Sequence, residues 1–126
     1  MITMTDTEVA TAIVFYLSNK LNINAIPQDS TNEIASVSLN YLPSTKVFSV
    51  ALDISHHLTC EENIDEIVER NIKWFTNDVK WKLGLDNPSR VCKDLISENW
   101  KLAKVTLMYD LTEDIENTLL LLSKIR

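Results

Sequence analysis

The stretch "LDISHHLTCEEN", residues 52 to 63, gathers His56, His57 and Cys60 within five positions. Imidazole nitrogen and thiolate sulfur are zinc ligands. A catalytic zinc site takes three protein ligands and a water, a structural one takes four. The spacing works against both. Adjacent residues on an extended segment point to opposite faces, so His56 and His57 resist sharing one ion. The second thiol, Cys92, has no local feature that makes it a fourth ligand. No metal ligand is assigned. A reactive thiol is the other chemistry available here. On the spacing, Cys60 stands in the first turn of a long helix, where unpaired amides and the helix dipole favour a thiolate. His57 is near enough in sequence to act as a base. Glu61 and Glu62 set negative charge beside the sulfur and oppose the thiolate. No oxyanion hole or substrate pocket accompanies the pair. No catalytic residue is assigned, and the chain is expected not to be an enzyme.

Carboxylates are the next candidates. Glu61, Glu62, Asp65, Glu66 and Glu69 crowd one helix start, and Asp110, Glu113, Asp114 and Glu116 another. Paired acids can do acid–base work or hold Mg²⁺. The same residues are also what a helix dipole favours in a solvated first turn, and that is the reading adopted. "DLTEDIEN" lacks the pattern of a calcium loop. A single glycine in 126 residues removes glycine-rich phosphate loops and the nucleophile elbow of serine hydrolases from consideration. No cofactor is expected.

Three tryptophans remain, Trp74, Trp81 and Trp100. Large aromatics usually complete a core. Tryptophan is also enriched at the centres of protein interfaces. Trp74 and Trp81 lie seven residues apart on one edge of the longest helix, with Lys73, Lys80 and Lys82 as a polar rim. The partner-binding residues expected on this ground are Trp74, Asp78 and Trp81, with the acidic Glu62, Glu66 and Glu69 of the same helix.

These side chains depend on the elements that carry them. Residues 5 to 21 open with a capping box, Thr5 and Glu8, and repeat Val9, Ile13, Tyr16, Leu17 and Leu21 at helical spacing. Val14 and Phe15 widen the apolar face, which implies a helix sandwiched on two sides. Residues 33 to 42 alternate, with Ala35, Val37, Leu39 and Tyr41 on one face, and residues 46 to 54 alternate with Phe48, Val50, Leu52 and Ile54. With "PST" between them they read as a hairpin. Residues 59 to 83 form a long helix from a second capping box, Thr59 and Glu62, to a stop at Gly84. Residues 88 to 98 are ambiguous between a short helix lined by Val91, Leu95 and Ile96 and a loop. Residues 100 to 111 alternate as a strand. Leu102 and Met108 make its outer face less polar, which points to a central position. Thr112 caps a last helix that carries Lys124 and Arg126 in its final turn.

The order α-β-β-α-(α)-β-α describes a single α+β domain, residues 1 to 126. It holds a three-stranded or slightly larger antiparallel sheet, with helices mainly on one face. "VATAIVFYL" and "TLLLL" are apolar nearly all round, more than one thin sheet can cover, so some of this surface is expected to be buried between subunits, as in a homodimer. Apolar residues are 45% of the chain, and net charge is −6 with a sequence pI near 4.8. That balance argues against nucleic acid, since phosphate contacts need clustered Lys and Arg. The longest apolar run is about nine residues against the roughly 20 that span a bilayer, and the N-terminus lacks a secretory pattern. With two thiols too few for a disulfide framework, a cytoplasmic protein without membrane contact is expected.

Size, acidity and the order of helix, hairpin, helix, strand, helix resemble those of small secretion-chaperone-like α+β proteins. The resemblance is one of element order, and no functional residue transfers with it. The expected function is that of a non-enzymatic module that holds or neutralises another protein, a basic one being the natural complement, through an acidic, aromatic-edged surface, as immunity proteins and secretion chaperones do. The alternatives are a small enzyme or metal-binding protein built on His56, His57 and Cys60, and a structural homo-oligomeric assembly component.

Overall fold

A computed structural model describes residues 4–21, 34–55, 63–97 and 102–124. Seven elements follow in the order α1 (Asp6–Leu21), β1 (Ile34–Leu42), β2 (Val47–Ser55), α2 (Ile64–Leu83), β3 (Arg90–Ser97), β4 (Leu102–Asp110) and α3 (Glu113–Ser123). The strands form one antiparallel sheet in the order β1-β2-β4-β3. This is the expected α+β class, with one strand more than the three that alternation alone marks out.

The central strands are those with the cleanest alternation. On their inner face Phe48, Val50, Leu52 and Ile54 of β2 lie beside Ala103, Val105, Leu107 and Tyr109 of β4, all buried. Full burial of a Phe, Val, Leu or Ile side chain contributes about 1.5–3 kcal/mol, so these two strands anchor the fold. The helices complete the same core with Ile13, Leu17 and Leu21 from α1, Ile67, Val68, Phe75 and Val79 from α2, and Leu119 from α3. The opposite face keeps Ser36, Ser38, Asn40 and Lys104 exposed.

Caps set most of the boundaries. Thr5 and Glu8 form their capping box, with the Thr5 amide donating to Glu8 Oε1 at 3.3 Å and the Glu8 amide to Thr5 Oγ1 at 3.2 Å. Thr112 Oγ1 accepts from the Ile115 amide at 3.2 Å. Gly84 adopts φ 69°, a left-handed conformation that closes α2 through its amide to the Lys80 carbonyl at 3.0 Å.

Five expectations are corrected. Within the segment 88–98, residues 90–97 are neither helix nor loop: β3 pairs with β4 from Arg90 opposite Met108 to Ser97 opposite Leu102. The Ser89 amide, donating to the Met108 carbonyl at 2.8 Å, starts that ladder. Backbone pairing with a neighbouring strand outweighs the weak helical spacing of three apolar residues. Second, α2 begins at Ile64 rather than at residue 59, because Asn63 Oδ1 caps it by accepting from the Glu66 amide at 2.9 Å. Third, a register shift between Ile34 and Ser36 takes Ala35 out of the alternation. Ile34 is buried in its place and Ala35 is exposed. Fourth, α3 ends at Ser123, with Lys124 as its cap. Fifth, α1 is not sandwiched: Phe15, two positions from both Ile13 and Leu17, is 68% exposed on the far side of the helix.

Candidate functional site

Helix α2 presents the most unusual surface. Its buried line runs through Ile64, Ile67, Val68, Asn71, Phe75 and Val79. Trp74, Asp78 and Trp81 follow one another at i, i+4 and i+7, on one flank of that line. Packing does not carry them into the core. Trp81 is 88% exposed and Trp74 42%. The Trp74 ring leans against Phe75 at a centroid distance of 6.1 Å, so it is braced at its base. Asp78 Oδ2 holds Lys82 Nζ at 3.2 Å, and the same ammonium donates to the Leu21 carbonyl at 3.3 Å, tying the end of α2 to the end of α1.

The acidic residues expected with these tryptophans are not all on their side. Glu66 is exposed. Glu69 lies on the opposite flank and is ion-paired to Lys93 of β3. Glu62 lies outside the described residues. Lys73, Lys80 and Trp81 are exposed together toward the end of the helix, while Asp65, Glu66 and Glu69 are exposed toward its start. The outer surface of α2 therefore runs from acidic to basic, as the helix dipole favours.

A second cluster went unread in the sequence. Glu116 of α3 belongs to a run of acids that reads as a solvated first turn, yet it is buried. Its Oε2 accepts from the Tyr41 hydroxyl and its Oε1 meets Lys46 Nζ at 3.3 Å. Lys46 reaches it from the β1–β2 turn, where its own backbone sits at φ 57°, and its carbonyl accepts from the Leu111 amide at 2.8 Å. Burial, the hydrogen bond to Glu116 and the charge of that carboxylate together hold the Tyr41 phenol well above its usual range. The hydroxyl is therefore locked as a donor, and the cluster fastens the hairpin to α3. Tyr109, whose hydroxyl has no partner among the described residues, is pushed up to about 12 by burial.

Between α1, the end of α2 and α3 lies a groove of about 420 Å³, lined mainly by Tyr16, Leu17, Leu83, Ile115, Leu119 and Leu122. Leu121 of α3 stands 65% exposed. Among the described residues, no group of three or more His, Cys, Asp or Glu side chains is placed to hold a metal ion. His56, His57, Cys60 and Trp100 lie outside the described residues. No described helix is long and apolar enough to cross a membrane. No family model matches the chain, and neither a curated protein nor a solved structure shows significant similarity to it.

Proposed function

We propose that this chain is a non-enzymatic protein-binding module that holds or neutralises a partner protein, using the tryptophan flank of α2 as its contact. One observation carries the reading: Trp81 stands 88% exposed, in line with the braced and half-exposed Trp74. A tryptophan buries roughly 150–250 Å² when covered. At about 25 cal/mol per Å² that is on the order of 4–6 kcal/mol left unused by this chain. Trp74 is positioned as a rigid anchor and Trp81 as a large free face, the pairing of features found at interface hot spots. Asp78, Lys73 and Lys80 supply a charged surround that sets orientation more than affinity. The net charge of −6 adds a long-range field that speeds encounter with a basic partner. Immunity-type neutralisation and chaperone-type holding are the two forms such a contact takes.

The test begins with affinity purification of the tagged chain from its native host and identification of the co-purifying protein. That protein, purified, is then titrated by calorimetry against wild type and the Trp74→Ala and Trp81→Ala variants. At least one substitution is expected to weaken binding by about 30-fold or more, the effect of losing a hot spot of about 2 kcal/mol. Unchanged affinity in both variants would remove the flank from the interface.

A further inference from the structure

We propose that the open edge of β3 is a self-association surface, on which a second copy of this chain pairs antiparallel, β3 against β3, about a two-fold axis at Cys92. β3 is an outer strand of the sheet, and the side of its backbone turned away from β4 meets no strand among the described residues. An open edge of this kind is a template for another strand. Its side chains are accessible too: Arg90, Val91, Cys92, Lys93 and Asp94 are all exposed. The other outer strand, β1, carries no charge between Ile34 and Leu42 with which to select a register, and α1 packs over it.

The charges of β3 select one register. In a two-fold antiparallel pair, opposed residues share a face of the sheet, and one residue sits opposite its own copy on the axis. An axis at Lys93 opposes two ammonium groups, and an axis at Asp94 opposes two carboxylates. Like charges directly opposite are destabilising. An axis at Val91 leaves little overlap, because the strand begins at Arg90, and an axis at Leu95 meets the register shift between Leu95 and Ser97. An axis at Cys92 opposes two cysteine side chains and sets Arg90 of each copy against Asp94 of the other.

That pairing extends a charge pattern already present on the outer face of the sheet. Ser36 Oγ donates to Asp53 Oδ2 at 2.7 Å, and Lys104 Nζ meets Asp53 Oδ1 at 3.9 Å. Lys104 is in turn the register partner of Asp94. The row across β2, β4 and β3 thus reads minus, plus, minus, and Arg90 of the second copy supplies the next plus. On the inner face the same register sets Val91 beside Lys93 of the copy. Val91 is 39% exposed in the single chain, because α2 packs over β4 and reaches β3 through the Glu69–Lys93 ion pair. With its ammonium held by Glu69, Lys93 has its aliphatic stem available to cover Val91. A two-fold axis perpendicular to the sheet places both α2 helices on the same face, over an eight-stranded sheet. The tryptophan flank of α2 lies on the side away from β3, so this inference stands apart from the proposed partner site.

Light scattering and sedimentation velocity on the full chain at tens of micromolar test it. Wild type is expected to be a dimer. Arg90→Asp and Asp94→Arg, each of which opposes like charges across the axis, are expected to give monomers of unchanged circular dichroism, and the double reversal is expected to restore the dimer. In a Cys60→Ser background, copper–phenanthroline is expected to join Cys92 to its copy, since opposed Cα atoms about 4.5–5.5 Å apart fall within the disulfide range of about 4.4–6.8 Å. A wild-type monomer overturns the proposal, as does a dimer indifferent to single reversals, one that the double reversal fails to restore, or absence of the Cys92 cross-link.

Discussion

Removing the Glu116 carboxylate should cost this fold far more than removing any neighbouring acid. Glu116 is the one acceptor of the Tyr41 hydroxyl among the described residues, and Tyr41 is 1% exposed. Tyr41→Phe deletes one hydrogen bond to a charged group, a loss of about 2 kcal/mol. Glu116→Ala loses the same bond and strands a buried hydroxyl. It also releases Lys46, whose side chain is 36% exposed and whose share is therefore under about 1 kcal/mol. With about 1 kcal/mol for the stranded hydroxyl, the sum is about 4 kcal/mol. The double variant strands no hydroxyl, so it should cost about 3 kcal/mol rather than the additive 6, a coupling near 3 kcal/mol. With an unfolding entropy of about 2.1 cal/mol/K per residue over 126 residues, the Glu116→Ala loss lowers Tm by about 15 °C. Urea unfolding followed by far-ultraviolet circular dichroism at pH 7 measures all four corners of the cycle. Additive single effects, or a Glu116→Ala variant within about 0.5 kcal/mol of wild type, would refute the reasoning.

Alkaline titration should weaken the fold in proportion to its buried phenols. Folding raises the Tyr41 pKa above the usual 10 and that of Tyr109 to about 12, so between these limits the native chain binds more protons than the unfolded one. Their contribution is full below pH 10 and declines as pH rises, at up to about 1.4 kcal/mol per pH unit for each tyrosine. Urea midpoints from pH 9 to 12 should fall less steeply in Tyr41→Phe and Tyr109→Phe, and equal slopes in all three proteins would contradict this. At pH 7, Tyr109→Phe should be neutral or slightly stabilising, since it removes a buried hydroxyl without a described partner. Gly84→Ala should cost about 1–2 kcal/mol through its φ of 69° alone, with open space around the new methyl group, and Gly84→Asn less, as read by thermal melts. Trp81→Ala should change stability by under about 0.5 kcal/mol, whereas Phe75→Ala, in the core under the same helix, should cost about 3–5 kcal/mol; equal losses in the two would mean that Trp81 is covered.

Local chemistry alone specified the hairpin, the long amphipathic helix, the caps at Thr5, Thr112 and Gly84 and the α+β class, because alternation, helical spacing and capping each act within a few residues. Even the central place of β4 was legible, in the apolar Leu102 and Met108 on its outer face. Tertiary contacts decided the rest. β3 is solvated on both faces of its described side chains, so it has no alternation to read, and only the ladder to β4 makes Arg90–Ser97 a strand. Glu116 matches its acidic neighbours in sequence and differs from them through Tyr41 and Lys46, which are 75 and 70 residues away. Helical spacing put Trp74 and Trp81 on one flank of α2. That the flank stays open follows from where α1 and the sheet pack, which depends on contacts between residues far apart in the chain.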